Sequence, residues 1–166
     1  MIAHPAHQGK VRLLEELAQI RRQLRQQGKS VVVTNGHFDL LHLGHLRYLQ
    51  QAKELGDCLI VAINGDDSTR RLKGEKRPLI PQAERAELLT GLACVDFVVI
   101  FDELTAERVV EALEPDVYVK GGDYAGAARW PEAELVTRQG GQVRVLPFVN
   151  GYSTSQLIQR ILERYR

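Results

Sequence analysis

Cysteine is nearly absent from the 166-residue chain: there are two, Cys58 and Cys94, and neither sits in a C-x-x-C pair. Two thiols cannot form a disulfide framework, so a reducing compartment, the cytoplasm, is the expectation. Aromatic residues are also scarce at 6%, with a single Trp. Charge of one sign is missing as well: 22 Lys and Arg stand against 21 Asp and Glu. Such a balance leaves no general electrostatic footprint for nucleic acid. No apolar run approaches the length of a membrane span, and residues 1–9 lack the apolar core of a signal peptide. What remains is ordinary for a globular domain with a real core: 44% hydrophobic and 26% charged residues.

The apolar pattern orders this material. Residues 1–9 read as a loose tail. Val11, Leu14, Leu17, Ala18, Ile20 and Leu24 recur at helical spacing, giving a helix over 11–27 that Gly28 can end. Five strand-then-helix units follow. Short apolar strands are expected at 31–33, 58–63, 95–101, 117–119 and 143–146. Helices are expected at 43–55, from Pro81 to about 93, at 106–113 with Thr105 as its cap, at 131–138, and from 153 to the end. Residues 64–80 are polar and contain Gly65, Gly74 and Pro78, which reads as a long loop. Buried strands alternating with amphipathic helices imply a single doubly wound, Rossmann-like α/β domain, with a five-stranded parallel sheet and helices on both faces. Ligands of such sheets bind beyond the carboxyl ends of the strands.

Four segments lie at those ends. Gly36-His37-Phe38-Asp39-Leu40-Leu41-His42-Leu43-Gly44-His45 leads from a strand into a helix. A helix start offers unpaired N–H groups and partial positive charge to an anion. Gly44 lets a bound group approach the backbone, and His42 and His45 share one side of the turn. A metal is the alternative reading of H-x-x-H, although H-E-x-x-H is absent and no third ligand is evident. Ser153-Thr154-Ser155-Gln156 pairs a capping box with three hydroxyls. Lys120-Gly121-Gly122-Asp123-Tyr124 follows a strand, with Asp123 able to accept from ribose hydroxyls. Finally, residues 70–77 with Arg85 hold the one dense basic cluster, either a solvated loop or a lid over phosphates.

Together these residues resemble the cytidylyltransferase-like branch of the nucleotidyltransferases. The G-x-F-D-x-x-H-x-G-H signature stands at 36–45 and S-T-S/T-x-x-I at 153–158, and the likeness spans about 28–162 of a domain covering 10–166. Within that branch the pattern is most similar to bacterial D-glycero-β-D-manno-heptose 1-phosphate adenylyltransferases, through Thr34-Asn35-Gly36, residues 72–78, residues 119–124 and residues 140–143. His37 departs from that family, which usually has Cys there, and Tyr152 replaces a smaller residue.

The resemblance implies ATP and a sugar phosphate as substrates, with Mg²⁺ accompanying the triphosphate and no protein-held metal. It implies His42, His45 and Lys73 as catalytic groups, and His37, Phe38, Gly44, Gly122, Asp123, Ser153 and Thr154 as nucleotide contacts. Asp39 and Arg85 are candidates for ordering the site or for the acceptor, and Lys76 and Lys120 for the acceptor. A homodimer is compatible with it; nucleic-acid and membrane partners are not expected. Two alternatives stay open: CTP with glycerol 3-phosphate or another polyol phosphate, and a nucleotide-binding regulatory module without turnover.

Overall fold

The computed structural model describes residues 9–122, 130–147 and 151–165. Five strands, β1 (Val31–Gly36), β2 (Cys58–Asn64), β3 (Phe97–Phe101), β4 (Val117–Gly121) and β5 (Gln142–Leu146), form one sheet in the order β3-β2-β1-β4-β5. All of the pairings are parallel. The β-branched runs explain the strands: their side chains are stiff and pack well on a pleated surface. Because strand residues alternate faces, Val31 and Val33 bury on one side with Ile60, Ala62 and Val99. Val32 buries on the other with Leu59, Val61 and Val98. The first face is covered by α1 (Leu14–Gln26), α5 (Glu107–Leu113) and α6 (Pro131–Arg138). The second is covered by α2 (Leu43–Lys53) and α4 (Gln82–Thr90).

Three local expectations are corrected. The first helix begins at Leu14, not Val11. Residues 10–12 instead run parallel to β3: Val98 N–H donates to the Lys10 carbonyl at 2.9 Å, and Arg12 N–H to the Val98 carbonyl at 2.9 Å. The arm satisfies an edge strand whose backbone groups would otherwise lie open.

Residues 64–80 are not all loop, because α3 (Asp66–Lys73) lies within them. Its ends match the helix dipole, with Asp66 and Asp67 in the first turn and Arg70, Arg71 and Lys73 in the last. Asp66 N–H also donates to Gln82 Oε1 at 2.7 Å. Lastly, Thr105 does not cap α5. Ala106 precedes that helix, and its N–H donates to the buried Glu132 carboxylate at 2.8 Å. Both cysteines are unpaired.

The last helix, α7 (Thr154–Arg164), differs from the others in having no buried residue. Its start is nonetheless defined. Ser153 Oγ accepts from Gln156 N–H at 3.1 Å, as its capping position requires.

Candidate active site

A cleft of about 620 Å³ opens at the carboxyl ends of the strands, where β1 separates β2 from β4. Its walls come from the 35–45 turn, from Lys73 and Arg77, from Lys120 and Gly121, and from Gly151 to Gln156. Segments more than a hundred residues apart therefore meet, as parallel topology requires.

The β1–α2 turn is built around its histidines. His42 is the residue before α2, and its Nδ1 accepts from His45 N–H at 3.3 Å. With Nδ1 acting as acceptor, the neutral ring carries its proton on Nε2. The His42 and His45 rings stack with centroids 3.7 Å apart, and Phe38 lies 5.1 Å from His45. Burial, then the neighbouring His42, pushes the His45 pKa down to about 4. His42 is shifted down too, by desolvation. His37 sits with Nδ1 3.0 Å from Thr69 Oγ1. Burial, then the positive charges of Lys73, Arg85 and Arg77, lowers it to about 4. At neutral pH these imidazoles are neutral hydrogen-bonding groups, and the positive charge of the cleft comes from Lys73, Arg77 and Lys120.

Gly44 joins this wall to the opposite one. A Cβ there would lie 2.9 Å from Tyr152 Cβ and 3.0 Å from His42 Nδ1. Only glycine permits the α2 start and the α7 start to approach so closely. Two helix N-termini thus face one cleft, each able to present backbone N–H groups to phosphate. Lys120 holds a third side. Its Nζ lies 5.6 Å from the Trp130 ring centroid and 4.0 Å from Glu132 Oε1. Burial lowers its pKa against the raising effect of Glu132.

The structure sorts the sequence candidates. His37, Phe38, His42, Gly44, His45, Lys73, Lys120, Ser153 and Thr154 all line the cleft. Asp39 also reaches its wall, but both of its carboxylate oxygens are engaged: it accepts from Arg77 Nε, from Leu79 N–H at 2.8 Å and from Ile80 N–H at 3.0 Å. Arg85 is fully buried and is spent on the Ile80 carbonyl, the His37 carbonyl and Asp66. Both residues therefore hold the turn in place, which is the ordering role among the two expected of them, and their hydrogen bonds are made within the protein. Lys76 is exposed and lies off the cleft lining. Gly122 N–H is taken by the Leu146 carbonyl at 3.0 Å, and its neighbour Gly121 lines the cleft instead. Asp123 lies outside the described residues.

Sequence reasoning missed Asn35, Tyr48 and Arg77, all of which line the cleft. Tyr48 had a usable signal, since it stands three residues after His45 on the same helix face. Its hydroxyl lies 2.6 Å from Thr34 Oγ1 and donates to the Val119 carbonyl at 3.0 Å, tying α2 to β1 and β4. Arg77 was hidden in a run of like charges. Among the described residues, no group of three or more His, Cys, Asp or Glu could hold a metal ion.

Residues 33–160 match the family model described as cytidylyltransferase-like, and that span contains every element lining the cleft. The chain belongs to the cytidylyltransferase-like family of nucleotidyltransferases. Curated relatives of this family include the bifunctional protein HldE of Syntrophotalea carbinolica, 48% identical over 170 residues, 99% of this chain and 34% of that protein. The HldE of Geotalea uraniireducens is 52% identical over 159 residues, 96% of this chain and 32% of that protein. The chain thus spans about a third of the length of these curated relatives. Among solved structures, a lipopolysaccharide core biosynthesis protein from Thermoplasma volcanium matches with a TM-score of 0.59 and 33% identity, over 76% of this chain and all of that one. The shared Rossmann-like nucleotidyltransferase fold accounts for the strand order and the position of the cleft.

Proposed function

We propose that this nucleotidyltransferase moves AMP from ATP to a sugar 1-phosphate, D-glycero-β-D-manno-heptose 1-phosphate, yielding ADP-heptose and pyrophosphate. The observation that carries the reading is the meeting of the His42–His45 turn with the Ser153–Thr154 helix start in one cleft, through the close approach at Gly44. The match to HldE proteins along nearly the whole chain supports the adenylyl and heptose assignment. A structural relative described as acting in lipopolysaccharide core biosynthesis also suits a sugar acceptor.

An acceptor phosphate oxygen attacks the α-phosphorus of ATP. A new P–O bond forms there, the bond to the bridging oxygen of the β-phosphate breaks, and pyrophosphate departs with that electron pair. The nucleophile is already anionic, so no general base is needed. Catalysis lies in alignment and in stabilising the charge that develops on the phosphates. His42, through Nε2–H, and His45 serve as donors to the triphosphate, Lys73 as the cation at the reacting phosphates, and Ser153 and Thr154 as ligands of its terminal part. Mg²⁺ accompanying the triphosphate as part of the substrate would supply charge neutralisation there; Asp39, the carboxylate within the turn, accepts from Arg77 and from the Leu79 and Ile80 amides.

The test is pyrophosphate release by the purified protein, with ATP or CTP against a panel of sugar 1-phosphates and glycerol 3-phosphate. Turnover of ATP with heptose 1-phosphate supports the proposal. A preference for CTP with glycerol 3-phosphate, or tight ATP binding without pyrophosphate from any pair, overturns it.

A further inference from the structure

The basic stretch after α3 contains one cation that the fold has fixed in place. Gly74, in the left-handed region at φ 96°, ends α3. The Arg77 N–H then donates to the Gly74 carbonyl at 3.0 Å, closing a turn that reverses the chain. The reversal brings Arg77 back against Asp39, whose side chain is completely buried. Asp39 holds Arg77 by Nε alone, while its other bonds go to the Leu79 and Ile80 amides. Among the described residues no partner occupies the Nη nitrogens of Arg77, and the residue lines the cleft. A guanidinium anchored at Nε presents the remaining donors as a planar fork, the geometry that matches two oxygens of one phosphate.

Topology sets this fork apart from the α7 N-terminus, while Asp39 ties it to the turn that leads into α2. Arg77 is delivered by the segment after β2, whereas the α7 start follows β5, on the other side of β1 in the sheet. Nucleotidyl transfer must bring two anionic groups together, the acceptor phosphate and the triphosphate, and each needs its own cradle. The helix starts with His42 and Ser153 supply one.

We propose that Arg77, oriented by Asp39, is the ligand of the acceptor's phosphate group. The inference rests on the nucleotidyl-transfer reading above and adds to it a separate subsite for a phosphomonoester. Asp39 is then a positioning residue.

The experiment measures KM for ATP and for heptose 1-phosphate in the wild type, Arg77→Ala and Arg77→Lys. Arg77→Ala is expected to raise the acceptor KM about 10-fold or more and to leave the ATP KM within about 3-fold, since a charge-assisted fork to one substrate is lost. Arg77→Lys keeps the charge without the fork and falls between. It also decides the matter if the alanine variant does not fold. A rise confined to the ATP KM, or no change in either, overturns the inference.

A second measurement does not depend on the acceptor's identity. The protein is saturated with the α,β-methylene analogue of ATP and titrated calorimetrically with inorganic phosphate. The wild type is expected to bind phosphate about 10-fold more tightly than Arg77→Ala. Equal affinity, or no phosphate binding by the wild type, overturns the inference. Failure of every sugar phosphate in the wild type would instead refute the proposed reaction, and the phosphate titration would still decide on Arg77.

Discussion

His45 is constrained from several sides in the cleft. It stacks on His42, lies against Phe38, and is kept neutral by burial. Replacing it by alanine is expected to cut pyrophosphate release by ~10²-fold or more, the usual loss when a preorganised donor to developing charge is removed. An intact circular dichroism spectrum with near wild-type turnover would refute that role. The same burial has a consequence for stability. The folded His45 titrates at about 4, below the ordinary value of 6.5. Between those values the unfolded chain binds a proton that the folded chain does not, so stability is complete above about pH 6.5 and is lost as pH falls towards 4. The slope is up to about 1.4 kcal/mol per pH unit for each such proton. Urea unfolding at pH 7.5 and pH 5.0 should show a smaller difference in His45→Gln than in the wild type. Residue identity at the two signatures was legible because glycine, histidine and hydroxyl residues stood at fixed spacings. Arg77 was not: its neighbours Arg71, Lys73 and Lys76 carry the same charge, and only the folded position of Asp39 distinguishes it.

Among the elements, the strands were legible from their apolar β-branched runs, with ends shifted by a few residues. The miss was α3, whose buried residues are Ser68 and Thr69. Without an apolar stripe its helical period could not be seen. Its support comes from end charges and from Gln82, sixteen residues away in sequence. The contact between the α2 and α7 starts was equally invisible, since it depends on space and not on pattern. Gly44→Ala tests that contact. In an unconstrained helix the change would gain about 1 kcal/mol. Here the added methyl meets Tyr152 Cβ and the His42 ring, so a loss of about 1–3 kcal/mol is expected from overpacking. Thermal unfolding measures it, and a raised melting temperature would show that the walls can move apart freely.

In the molecule as a whole, the N-terminal segment behaves as part of the core. Leu17 is fully buried, and Arg21 reaches the Leu113 carbonyl at 3.0 Å and Asp116 at 3.0 Å. The arm ahead of α1 pairs with β3, and Lys10 Nζ donates to the Thr90 and Val95 carbonyls. Removing residues 1–27 should therefore lower the urea midpoint and expose an edge prone to association. Light scattering and urea unfolding of the shortened chain measure both. An unchanged midpoint with a monodisperse sample would assign the core to residues 28–166 alone. No helix among the described residues is long and apolar enough to cross a membrane.

The unequal anchoring of the two cleft walls has its own consequence. One wall grows from β1, hydrogen-bonded on both sides in the middle of the sheet, whereas the other begins a helix with no buried residue. If nucleotide needs both walls, as the proposed reaction requires, its apparent affinity would scale with the fraction of molecules in which they are docked. A substitution on the cleft side of Thr154–Arg164 would then weaken binding without touching a phosphate, and nucleotide would in turn stabilise that helix.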